Sequence, residues 1–105
     1  MKVRLTATQA AKADIRDIAT YIAIDNPRAA SQFGVELADA FDRIAENPDA
    51  GWQIPGFTQP LRFVRVSRRF RRYLIFYHRV NDETAEIIRV LHGARDIATL
   101  LAGSG

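Results

Sequence analysis

The groups best suited to chemistry collect in the second half of the chain. Residues 87–96, IIRVLHGARD, run from an apolar segment into His92, Arg95 and Asp96. A strand that releases polar side chains at its end often delivers them to a site. Just upstream, six arginines stand between positions 62 and 72 (62, 65, 68, 69, 71 and 72), with no acid among them. Arginine presents forked, permanently charged donors that suit phosphate or carboxylate better than lysine does. With Tyr73 and Tyr77 close by, these types suffice for metal-free RNA cleavage, which needs a base for the 2′-hydroxyl, an acid for the leaving oxygen and cations around the phosphate. His92 would be the base, with Tyr73 or Tyr77 assisting. The same residues also have a plainer reading. Tyrosine and histidine in strands commonly pack, with a satisfied polar tip, and an arginine-rich strand pair can be simply a solvated positive face.

Other chemistries find less support. His78 and His92 lack the paired spacing and carboxylate company of a metal-ligand set, so no metal is expected. Ser31 and Ser67 have no glycine elbow around them. The six glycines are scattered, and none forms a phosphate-cradling loop. No cofactor is expected.

The elements that must position these groups follow from periodicity. KVRLT (2–6) alternates like a short strand. Thr6, three residues before Gln9, suggests a capping box opening a helix over about 8–25, with Ala11, Ile15, Ile18 and Ile22 on one face. Asp14, Arg16 and Asp17 fall on other faces and read as solvent-facing. Asn26-Pro27 ends that helix and starts another, asparagine as N-cap and proline at the first helical position. Ala30, Phe33, Leu37, Phe41 and Ile44 line the second helix, which stops at Asn47-Pro48. Two helices joined by so small a break make an antiparallel hairpin with one apolar seam.

Residues 48–60 hold three of the four prolines and two of the six glycines and read as a loop, tacked to the core by Trp52, Ile54 and Phe57. The period then becomes two. Strands are expected over 61–66, 71–80 and 85–92, with turns at SRRF and NDET, and DIATLL (96–101) suggests a short last helix closed by Gly103. The order β-α-α-β-β-β predicts an α+β fold, a helical hairpin packed on one face of a mostly antiparallel sheet. YLIFY (73–77) is apolar on both faces, as a central strand covered on both sides would be. Either a partner chain or the 48–60 loop and the C-terminal tail would cover the second face.

At 105 residues the chain is expected to form a single domain over 1–105. It has no cysteine, so disulfides and thiolate metal sites are excluded, and the composition fits a reducing cytoplasm. No signal peptide or membrane-spanning run is expected. Residues 1–55 carry six basic and eight acidic side chains, a charge of −2, whereas residues 56–105 carry nine arginines and four acids, a charge of +5. A basic half of this kind points to an acidic partner.

Four stretches in this order, AKADIRDIATYIAIDNPRAA (11–30), ELADAFDRIAENPDAG (36–51), RRYLIFYHRVND (71–82) and IIRVLHGARD (87–96), make the chain resemble the ParE branch of the ParE/RelE toxin superfamily over residues 3–101. The resemblance implies the RelE/ParE-like fold and a type II toxin neutralised by a ParD-like antitoxin in a hetero-oligomer. It implies action by binding and inhibiting DNA gyrase, with promoter DNA contacted only through the antitoxin. The RelE branch, which cuts messenger RNA on the ribosome, is the alternative. RelE-like nucleases usually present a tyrosine or histidine near the C-terminus, and the segment after Arg95 here, DIATLLAGSG, has no tyrosine, histidine or lysine. No catalytic residue is therefore assigned. Arg95, His92, Arg89, Arg72, Arg71, Arg65 and Tyr77 are expected to contact target or antitoxin, with Asp96 capping the last helix.

Overall fold

A computed structural model describes residues 2–56 and 60–96 of the chain. Its elements are β1 (Arg4–Ala7), α1 (Gln9–Asp25), α2 (Pro27–Glu46), β2 (Trp52–Ile54), β3 (Leu61–Arg65), β4 (Tyr73–Arg79) and β5 (Thr84–His92). The sheet runs β1-β5-β4-β3-β2, antiparallel throughout except that β1 and β5 are parallel. The α+β architecture matches expectation, with two corrections. A short edge strand, β2, lies inside the 48–60 segment, and α1 is capped by Thr8 rather than Thr6, the Thr8 hydroxyl accepting the Ala11 N–H. Thr6 instead lies within β1 and pairs with Glu86.

The helical hairpin forms as its break residues dictate. Asn26 ends α1, its backbone N–H donating to the Ile22 carbonyl, and opens α2, its side chain accepting from Ala29 N–H at 3.1 Å. Phe33, Leu37, Ala40 and Ile44 turn inward from α2 and meet Ala11 of α1 and Val66, Ile75, Tyr77, Ile87 and Val90 of the sheet side, with Ile15, Ile18, Ile22 and Phe41 packed around them. Phe33 is central, edge-on to both Phe70 and Tyr73.

The far face of the sheet carries a second, smaller core. Leu61, Phe76 and Leu91 are buried there against Ile54, Phe63, Leu74 and Ile88, so β4 is covered on both sides. The 48–60 segment supplies part of that cover through Ile54. Trp52 does not join it and is 57% exposed. Phe57 and the segment 97–103 lie outside the described residues. A register shift opposite Phe76/Tyr77 places Arg89 across from Phe76 and Ile87 across from Tyr77. Ile88 is therefore extra on β5, as in a β-bulge, which re-aims the side chains beyond it.

Candidate contact surface

The seven residues expected at a contact face divide into three groups. Tyr77 does not reach the surface. It is fully buried, its hydroxyl donating to the Pro48 carbonyl at 2.8 Å and accepting from Gly51 N–H at 3.1 Å. A Cβ at position 51 would run into that hydroxyl, so glycine is required there. Burial pushes the Tyr77 phenol up from its ordinary range. The side chain pins the loop after α2 to the middle of the sheet. It is a structural anchor, not the contact residue expected.

Arg89 is held from within. Its guanidinium forks onto Asp14 of α1, Nε to one carboxylate oxygen at 2.7 Å and Nη2 to the other at 2.8 Å, while the backbone N–H of Val90 donates to the same carboxylate at 3.0 Å. The Asp14 hydrogen bonds raise the Arg89 guanidinium further above its already high pKa. Asp14 therefore faces the sheet rather than solvent as expected, and the reason is topological. β1 pairs with β5 only over Thr84–Ile87, leaving the remaining edge of β5 without a strand. Side chains occupy it instead: the Thr8 hydroxyl donates to the Ile88 carbonyl at 2.7 Å, Asp14 takes Val90 N–H, and Asp96 takes His92 N–H at 3.1 Å. One signal for Asp14 was readable: it stands three residues after Ala11 and four before Ile18, on the border of the apolar stripe.

The remaining residues lie at one end of the sheet but divide between its faces, Arg65, Arg71, Arg72 and His92 along one groove and Arg95 beside another cavity. His92 ends β5 and caps the helical turn over 93–96, its ring Nδ1 accepting Arg95 N–H at 3.3 Å, while Asp96 returns a carboxylate to His92 N–H. Asp96 was expected as the cap. The helix over 96–101 that it would cap lies, from residue 97 on, outside the described residues; in the turn over 93–96 the histidine is the cap, and Asp96 completes the reciprocal pair. Gly93 leaves the sheet close against Leu74, where a side chain would crowd the leucine, and its N–H donates to Arg72 O at 2.8 Å. Arg95 lies over the ring of Tyr21, 5.7 Å from its centroid, beside a cavity of about 360 Å³ that Asp14, Asp17, Tyr73 and Arg89 also line. On the far face a wider groove of about 590 Å³ runs between Trp52, Phe63, Arg65, Arg71, Arg72, Leu74 and His92. The Arg65 guanidinium stacks over Trp52 at 5.2 Å, and Trp52 stands edge-on to Phe63 at 5.4 Å. Arg65, Arg71, Arg72 and Arg95 are all exposed, and among the described residues no carboxylate pairs with any of them.

The arrangement presents forked cations around an aromatic shelf, while His92 Nδ1 and the Tyr77 hydroxyl already have structural uses. Among the described residues no cluster of three or more histidines or carboxylates could hold a metal ion, and no helix is long and apolar enough to cross a membrane.

Residues 5–97 match the model of a family described as ParE toxin of type II toxin-antitoxin system, parDE. Among solved structures, a chain of the chromosomal ParDE TA system from P. aeruginosa is similar in fold, with a TM-score of 0.69 at 16% identity, over 87% of this chain and 96% of that one. No curated protein matches.

Proposed function

The chain belongs to the ParE toxin family of type II toxin–antitoxin systems, and from that membership we propose that it is held inactive by a ParD-like antitoxin and acts in the cytoplasm by binding and inhibiting DNA gyrase. Promoter DNA is read by the antitoxin within a hetero-oligomeric complex. The observation that carries a binding rather than a catalytic mode is the division of labour at the sheet end. His92 gives its Nδ1 to the Arg95 backbone and Tyr77 is sealed under the loop after α2, while Arg65, Arg71, Arg72 and Arg95 stand exposed with side chains uncommitted to any carboxylate described. Exposed cations gathered at one end of a sheet suit recognition of an acidic protein surface.

The direct test is a supercoiling and cleavage assay with purified gyrase. Inhibition or accumulated cleaved DNA is expected, relieved by stoichiometric antitoxin. Unaltered gyrase at micromolar excess of folded chain overturns the reading. The alternative, ribosome-dependent cleavage of messenger RNA, has one observation in its favour: His92 and Tyr73 stack edge to face, 5.4 Å between ring centroids, beside Arg71 and Arg72. Primer extension on transcripts from arrested cells separates the two, since intact messages are expected of a gyrase inhibitor.

A further inference from the structure

The far-face groove has a feature that an antitoxin or gyrase contact does not by itself call for. Its cations are interleaved with an exposed, polarised aromatic. Trp52 projects from the edge strand, more than half exposed, with one guanidinium stacked on it and Phe63 at its edge. Arg71 and Arg72 lie along the same groove, and no carboxylate is among the described residues that line it. Arg68 and Arg69, both exposed, continue the charge around the β3–β4 turn. A ligand that fits this track repeats a negative charge and a flat ring along its length.

We propose that this groove binds a nucleic-acid strand, independent of which protein the chain inhibits. Phosphates lie against Arg71 and Arg72, and a base stacks on the Trp52–Arg65 pair. Base–aromatic stacking is tolerant of sequence because every base has a π-face, and guanidinium forks match phosphate oxygens. Among the described residues that line the groove there is no asparagine, glutamine or carboxylate to read base edges, and with Arg71 and Arg72 given to phosphates and Arg65 to Trp52 the contact is sequence-independent and distinct from promoter recognition. An acidic peptide is the competing occupant. It would satisfy the arginines but bring no flat ring to the exposed part of Trp52, and the observations favour the strand for that reason.

Trp52 is the only tryptophan in the chain, so its emission reports on the groove. The full-length chain is titrated with an oligothymidylate of about 12 nucleotides in low salt. Quenching of Trp52 is expected, with log K against log salt falling at a slope of about −1.4, as two arginine–phosphate contacts on a single strand would give. Anisotropy of a labelled oligonucleotide then reads the variants. Trp52→Leu should weaken binding by about 5- to 150-fold, the worth of one stacked base, and Arg71→Ser with Arg72→Ser should flatten the salt slope. Arg16→Ser with Arg28→Ser, equal in charge and on the hairpin, should change neither, and unchanged melting temperatures show that the variants fold. The proposal is overturned by an unmoved Trp52 emission at about 0.1 mM chain, by equal loss in the hairpin control, or by polyglutamate quenching Trp52 as strongly. Duplex bound more tightly than single strand overturns the stacking. None of these outcomes bears on gyrase inhibition, which is measured separately.

Discussion

Tyr77 and Asp14 illustrate how a single polar side chain inside this sheet decides local stability. The Tyr77 hydroxyl joins two backbone groups, Pro48 C=O and Gly51 N–H, through two buried hydrogen bonds. Tyr77→Phe keeps the ring's packing and leaves both groups unpaired, which costs about 1–3 kcal/mol and should appear as a lower denaturation midpoint with unchanged slope. The pH dependence has a definite sign. Burial raises the Tyr77 pKa above the ordinary phenol value near 10, so the folded state favours the neutral phenol. Its contribution is complete below that ordinary value and is lost as pH rises through the folded pKa. Stability of the native chain should therefore fall on going above about pH 10, and the Phe variant should fall less steeply. Asp14→Ala removes the fork to Arg89 and the acceptor for Val90 N–H together. A loss of about 1–3 kcal/mol is expected by urea melt. By contrast Asp42→Ala, which breaks only the exposed 3.9 Å pair with Lys2, should cost less than about 1 kcal/mol.

At the scale of elements, the helical hairpin stands on α2. Phe33 is 1% exposed and touches sheet-side aromatics on two sides, whereas Phe41 is only partly buried. Phe33→Ala should cost about 3–5 kcal/mol and Phe41→Ala clearly less; the reverse order in denaturant melts would mean the seam is drawn on the wrong residues. The α2 face was legible because its apolar spacing is long and strict and its ends carry asparagine and proline signals that act locally. β2 was not legible. Three residues between a glycine and a proline carry no usable period, and the strand exists only because β3 offers an edge to pair with. The β5 bulge and the Asp14–Arg89 clasp were hidden for a related reason. The clasp joins residues 75 positions apart and is called for by the shortness of β1, which leaves part of one edge of β5 without a strand, while the bulge shows only in the register between β4 and β5. His92 as a helix cap could have been anticipated, since it stands three residues before Arg95 and four before Asp96 at a strand end. Histidine is simply an uncommon cap. The arginine face was readable as charge, but the shelf that Trp52 makes with Arg65 depended on β2.

At the scale of the molecule, charge is divided along the chain, −2 over residues 1–55 and +5 over 56–105, and the fold turns that division into geography. Most of the acids stand on the helical hairpin. Arg65, Arg68, Arg69, Arg71 and Arg72 are exposed along β3 and the turn into β4. Such a one-sided field acts mainly on the approach of a partner, since charges at a rim steer encounter while buried contacts govern dissociation. An antitoxin with an acidic toxin-binding segment should therefore associate with the chain at a rate that falls as salt rises and the Debye length shrinks from about 10 Å at 0.1 M toward 3 Å at 1 M. Arg71→Ser with Arg72→Ser should lower the association rate constant several-fold at low salt, leave the dissociation rate nearly unchanged and reduce the salt dependence. Stopped-flow or surface-based kinetics on the purified pair measures all three quantities. A change confined to dissociation would place these arginines under the bound antitoxin instead of along its approach, and no change in either rate would remove the arginine face from the antitoxin contact altogether.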